Sequence, residues 1–261
     1  MPYLILSRLL AALCFFTQLP LWKWGHIRAE DYKRVVPLWP VVGWVTGGTM
    51  ALTLWATTRF LPLSIGILLA LVARLLLTGA LHEDGLADFC DAFGANASRE
   101  RTLEIMKDSR IGTYGVLGLI TYELLLLATL YALGRAPGHT ALLCAILPCA
   151  DAFAKWASSN IVNLLPYARN AQTAKNRLVY ERMTRTEQLL GLALGLAPTL
   201  LLLPPHLWWA MLPCLAAALL MMHAAKRRLQ GYTGDCCGAT VLVSELVFLI
   251  ALLALLRAGI R

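Results

Sequence analysis

Seven stretches of the chain are long and predominantly apolar: 37–58, 61–81, 114–134, 139–164, 188–203, 206–225 and 239–256. Proline, glycine and polar residues separate them, at Pro62, Pro137-Gly138, Pro166, Pro204-Pro205 and Gly231. A helix that crosses a bilayer needs about 20 mostly apolar residues. The pattern therefore predicts an all-α fold, a polytopic integral membrane helical bundle of about seven spans. The 188–203 stretch is short and needs tilt or neighbouring residues to complete it. Residues 3–22 form an eighth candidate, in which Arg8 and Gln18 suit an interfacial helix as well as a span. No soluble segment, low-complexity tract or internal repeat divides the chain, so residues 1–261 are expected to form a single membrane-embedded domain.

Composition agrees. The hydrophobic fraction is 59% and the charged fraction 15%, against roughly 25% charged in a soluble domain. The net charge of +8 raises nucleic acid as a partner. The basic residues lie between apolar runs, not on one soluble face, and this disfavours it. Residues 23–36, 82–113, 166–187 and 226–238 hold four, four, five and three Lys and Arg residues. The alternate connections and the C-terminal tail hold only Arg59, Arg135, Arg257 and Arg261. This bias predicts that the four long loops face the cytoplasm and the C-terminus the other side. The N-terminus lacks a small-residue cleavage site and is not read as a removable signal peptide. The seven cysteines include no C-x-x-C pair, which gives neither a disulfide framework nor a zinc signature.

Against this background LHEDGLADFCDAFG, 81–94, is anomalous, with four acidic side chains in fourteen residues. Read as a helix continuing off the second span, it advances about 100° per residue. Asp88 then lies about 40° from Asp84 and Asp91 about 20° on the other side. Glu83 points away and His82 roughly opposite. Like charges at this spacing repel. A hard divalent cation such as Mg2+ or Mn2+, bound through oxygen, would remove the repulsion. The bland alternative is a solvated acidic loop paired with arginines.

Two further loops carry candidate chemistry. In SRERTLEIMKDSRIGTYG, 98–115, Lys107, Asp108 and Arg110 precede Gly112 and Gly115, a mixture that suits phosphate recognition but also common surface ion pairing. In KRRLQGYTGDCCGA, 226–239, Gly231, Gly234 and Gly238 predict a tight turn around Asp235, whose backbone N–H groups could cradle phosphate oxygens. It is not a Walker A loop. Within the apolar runs, Arg74, Glu123, Asp151, Lys155, His223 and Glu245 are costly and are functional candidates. Asp151 and Lys155, four residues apart, can neutralise each other. Arg74 and His223 are placed to snorkel toward the membrane edge.

The runs HEDGLADFCDAF and LEIMKDSRIGTYG, with GYTGDCCGA near the C-terminus, resemble the cobalamin synthase (adenosylcobinamide-GDP ribazoletransferase) family. FFTQLP at 15–20, WPVVGWVTGG at 39–48 and PYAR at 166–169 agree, so the resemblance covers nearly the whole chain in order. The family commonly has an apolar residue where Glu83 stands. The resemblance implies a bacterial inner-membrane (cytoplasmic membrane) or archaeal cell-membrane enzyme. It would join adenosylcobinamide-GDP to alpha-ribazole, or its 5'-phosphate, with release of GMP, as the last step of nucleotide loop assembly in cobalamin biosynthesis. Mg2+ would be the cofactor and membrane lipid a partner, and a homo-oligomer is compatible with the sequence. On that footing Asp84, Asp88, Asp91 and Asp235 would hold the metal. Lys107, Arg110, Arg169 and Gly234 would bind substrate phosphates, and His82 or Asp108 would accept the nucleophile's proton. The acidic residues also admit two alternatives. A CDP-alcohol phosphotransferase would need Arg where Asp88 follows Ala87. A metal-ion transporter would need acidic residues near the midplane of several spans.

Overall fold

The computed structural model describes residues 2–25, 27–136, 139–169 and 180–259. The Pro137-Gly138 break, part of the basic loop at 166–187 and Arg261 lie outside the described residues. Each of the seven apolar stretches forms helix: α2 (Trp39–Thr57), α3 (Leu63–Thr78), α6 (Thr113–Gly134), α7 with its one-turn extension α8 (His139–Ser159, Ile161–Leu164), α9 (Arg185–Leu202), α10 (Met211–Leu229) and α11 (Gly234–Arg257). Between them lie α4 (Leu81–Gly94) and α5 (Arg99–Ile105), and α1 (Pro2–Phe16) opens the chain. No strand forms among the described residues; Tyr167 and Tyr232 make an isolated parallel bridge.

Fewer helices than expected meet the requirements for crossing a membrane. Four do so by length and apolarity, at 113–134, 139–164, 205–229 and 234–257, or five if α3 and α4 are taken as one bent span. At about 1.5 Å per residue, sixteen-residue α3 covers only about 24 Å. α2 carries Gly43, Thr46 and Gly47 on its buried side, and α9 carries Gly191, Gly195 and Pro198. These small residues serve packing inside the bundle and lower the apolarity of the two helices. α1, at fifteen residues, is shorter than the roughly 30 Å hydrocarbon core. It is tied down by Ser7 Oγ, which donates to Asp31 at 2.6 Å, and by Arg8 against Glu187 at 3.3 Å. Asp31 also accepts from Arg28 Nη2 at 2.8 Å.

The tightest helix pair is α2 against α7. A Cβ on Gly43 would meet the Ala152 backbone at 2.6 Å, and one on Gly47 would meet Pro148 Cα at 2.6 Å. Small residues four apart let two membrane helices approach to backbone contact. The outer faces carry exposed Leu52, Leu76, Leu124, Leu201 and Leu220, a surface that suits lipid better than water. Trp55, Phe60 and Trp209 are exposed beside the connections at 58–62 and 203–210, where interfacial aromatics are expected.

Arg74, Glu83, Asp151, Lys155 and Glu245 are paired within the bundle. Arg74 does not snorkel. It is buried, with Nη1 donating to both Glu245 oxygens at 3.0 Å and Nη2 to the Tyr122 hydroxyl at 3.2 Å. Glu83 lies 3.6 Å from the same guanidinium. Lys155 pairs with Asp151, which also accepts from Thr46 Oγ1.

Candidate functional site

The acidic stretch is helical, as its spacing predicts, but it does not continue the preceding span. Gly79 and Ala80 both take left-handed backbone angles, φ 63° and 56°, and α4 leaves α3 at 89°. Glycine suits position 79 because L side chains rarely adopt its φ of 63°. Gln18 N donates to Leu77 O at 2.7 Å, so the 15–20 stretch braces the turn. The turn swings α4 against α6 and α11.

The α4–α11 crossing builds the site. A Cβ on Gly85 would stand 3.1 Å from Asp235 Cα and O, and one on Gly238 would stand 3.2 Å from His82 O. The backbones nearly touch, which brings Asp84 and Asp235 to the same crossing. The expected glycine-rich turn at 231–238 is only partly a turn. Gly234 is already the first residue of α11, and Thr233 caps it by accepting from Cys236 N at 3.4 Å. Thr233 Oγ1 also donates to Asp235 Oδ2 at 3.3 Å. The first turn of α11 thus places a helix N-terminus, suited to anions, where a loop was expected.

Residues 166–169 are pinned beside it. Ala168 N donates to Tyr232 O at 2.8 Å and Tyr232 N to Pro166 O at 2.9 Å. Gly231 permits the approach, since a Cβ would meet Pro166 O at 2.5 Å. Arg169 Nη2 donates to Leu103 O at 3.1 Å. Other arginines cap carbonyls: Arg99 reaches Leu229 O and Ala168 O, and Arg228 reaches Phe93, Ala95 and Ala97 O at and just past the end of α4.

These elements enclose a cavity of about 190 Å³. Five expected site residues line it: His82, Asp84, Arg169, Gly234 and Asp235. Lys155 lines it too; its charge stood out in the sequence, though only as a partner for Asp151. The remaining wall is largely aromatic, with Phe15, Phe16, Trp39, Tyr167 and Tyr180. The rings touch in sequence: Phe16 against Trp39 at 5.3 Å, Trp39 against Tyr180 at 5.6 Å, and Phe16 stacked on the His82 imidazole at 6.1 Å. The stretches at 15–20 and 39–48 stood out only as parts of the resemblance, with no role given to their rings, and nothing in the sequence singled out Tyr180.

The other expected residues are elsewhere. Asp91 Oδ2 accepts from Gly112 N at 2.7 Å and Oδ1 from Gly115 N at 2.8 Å, which caps the start of α6. Asp91, Asp108 and Arg110 line a separate open groove of about 520 Å³. Arg110 clamps Asp108 at 2.8 Å, and these hydrogen bonds hold the Asp108 carboxyl down at about 2, too weak a base for proton transfer near neutrality. Lys107 is exposed and lines neither space, and Asp88 is half-buried between Asp84 and Asp91. Among the described residues no group of three or more His, Cys, Asp or Glu is arranged to hold a metal ion. Mg2+ commonly takes only one or two protein carboxylates and completes its shell with waters and phosphates. Asp84 and Asp235 at one cavity fit that pattern; a three-aspartate cage does not.

A bundle of apolar-faced helices, with charged groups and a helix N-terminus gathered around one cavity, is the architecture of a membrane protein with a polar binding site among its helices. The family model described as CobS, cobalamin-5-phosphate synthase, matches residues 8–253, and the chain belongs to that family. It is similar to proteins named adenosylcobinamide-GDP ribazoletransferase. The one from Leptothrix cholodnii is 36% identical, with 93% of each chain covered. Those from Shewanella baltica and Shewanella oneidensis are 32% and 30% identical, covering 94% and 93% of this chain and 92% of theirs. No solved structure matches. The protein is accordingly a transferase of cobalamin biosynthesis.

Proposed function

We propose that the protein joins adenosylcobinamide-GDP to alpha-ribazole or its 5'-phosphate at this cavity, releasing GMP on the cytoplasmic side of the membrane. The single observation that supports it best is the convergence of Asp84, Asp235, Arg169 and the first turn of α11 on one aromatic-walled space. In the reaction a ribose hydroxyl of the acceptor attacks the phosphorus nearest the corrinoid arm. The new P–O bond forms as the bridging P–O bond breaks, GMP leaves with that electron pair, and the hydroxyl proton is given up. Positioning and charge stabilisation carry most of such a reaction.

Asp84 and Asp235 would hold Mg2+, with Asp88 one helical turn from Asp84. Bound there, Mg2+ neutralises the diphosphate and makes GMP a better leaving group. Arg169 and the N–H groups at Gly234 orient phosphate oxygens. His82 is the proton acceptor of choice, because it lines the cavity and Asp108 does not. Asp91, Lys107 and Arg110 are left to shape and charge the neighbouring loop. The buried acids Asp151 and Glu245 are taken up by Lys155 and Arg74, which gives no support to an ion path through the bundle. The basic loops at the cavity end support its cytoplasmic orientation.

The test is GMP release by purified, detergent-solubilised protein given both substrates and Mg2+. Asp84→Asn is expected to lose at least a hundredfold in kcat while remaining monodisperse. Normal turnover by that variant would remove Asp84 from the reaction.

A further inference from the structure

We infer that the aromatic half of the cavity is the seat of the acceptor's flat bicyclic base, and that the corrin ring and the guanine both lie outside it; the inference rests on the reaction proposed above. Size is the first reason. The cavity holds about 190 Å³, below the roughly 300–1,000 Å³ of a pocket for a drug-sized ligand. A corrin macrocycle with its amide arms exceeds such a ligand several-fold, and only a ring system of one or two cycles can enter.

The wall chemistry then separates the two bicyclic bases. Guanine carries donors and acceptors around its edge, and burying them without partners is costly. A benzimidazole is apolar around most of its edge and needs chiefly faces to stack on. Phe15, Phe16, Trp39 and Tyr180 provide those faces, with Val42 and Val241 closing the remainder. Offset and edge-to-face ring contacts are each worth about 0.5–1.5 kcal/mol beyond area burial. His82 joins the two halves. Its ring stacks on Phe16, and two residues on, Asp84 begins the charged end with Arg169 and Asp235. A nucleoside entering base first would leave its ribose beside the imidazole and the charged groups. The diphosphate, with corrinoid and guanosine on opposite ends, would approach from the open side.

Val42→Phe tests this. Val42 is fully buried and lines the cavity, so a larger side chain fills the space meant for the base. Two measurements are made on the wild type and the variant: equilibrium dialysis of radiolabelled alpha-ribazole alone, and the KM of each substrate in GMP release. The wild type is expected to bind the nucleoside without its co-substrate. The variant should weaken nucleoside binding and raise the nucleoside KM about tenfold or more, with the KM for adenosylcobinamide-GDP within about twofold. Val241→Phe fills the same space from α11 and serves if the first variant does not fold. A rise confined to the corrinoid substrate's KM, or no change in nucleoside binding, overturns the assignment. Absence of GMP release by the wild type would instead count against the proposed reaction, and dialysis would still report on the cavity.

Discussion

Arg74 ties α3, which carries it, to α4 through Glu83, to α11 through Glu245 and to α6 through Tyr122. Its worth can be read from a mutant cycle. In wild type the guanidinium satisfies both Glu245 oxygens at 3.0 Å and the Tyr122 hydroxyl at 3.2 Å, with Glu83 farther away at 3.6 Å. Glu83 Oε2 has no hydrogen-bond partner. Glu83→Leu therefore removes the weakest contact and a costly orphan oxygen, and it is expected to stay within about 1 kcal/mol of wild type. In that background Arg74→Met leaves Glu245 buried without a cation. Removing one partner of a buried pair costs about 3–5 kcal/mol. At about 2–4 °C per kcal/mol for a chain of this size, the midpoint should fall about 10 °C. Adding Glu245→Leu removes the stranded charge, and at least half the loss should return, since apolar replacements of buried pairs are often neutral. The assay is the monodisperse fraction in detergent after heating, with GMP release measured on the same samples. If Arg74→Met melts with its background, or the added Glu245→Leu recovers nothing, the network does not hold these helices together.

Asp91→Asn keeps one acceptor for the start of α6 and loses the other, so stability should fall by about 1 kcal/mol while the Mg2+ concentration giving half-maximal GMP release stays unchanged; a shifted Mg2+ requirement would return Asp91 to the metal. Asp31 is held at about 2, chiefly by its side-chain hydrogen bonds to Arg28. Because its folded value is depressed, the stability it adds is present above about pH 4 and is lost as pH falls toward 2. Asp31→Asn should lower the midpoint at pH 7 and abolish that part of the acid sensitivity, and an unaltered acid profile would refute the link. Ala80→Gly relieves a left-handed angle that alanine adopts with difficulty and should gain about 1 kcal/mol, read as a rise in midpoint; a fall would mean that Ala80 contributes something other than the turn.

The helices were legible because each is an unbroken apolar run, and the acidic run and the Asp235 loop were legible because charge in such a chain is conspicuous. What the pattern could not convey is direction. Periodicity places Asp84, Asp88 and Asp91 on one stripe, and they are on one helix. But α4 is fixed by a left-handed pair at Gly79 and Ala80, not by the axis of α3, and that turn decides which aspartate meets which neighbour. Asp84 is delivered to Asp235, while Asp91, about two turns on, meets the backbone of α6.

The same reasoning explains why the aromatic wall was hidden. Phe15, Trp39 and Tyr180 look like ordinary apolar filling in a chain that is 59% hydrophobic, and they become a wall only when three distant segments meet at the α4–α11 crossing. Gly43 and Gly47 contribute indirectly. By letting α2 touch α7 at backbone distance, they carry Trp39 and Val42, at the start of α2, beside Lys155 near the end of α7. A larger residue at either glycine would part these two walls before it altered any group that carries charge. The small residues of this fold therefore act on the chemistry through distance, and the charged ones through what that distance allows them to reach.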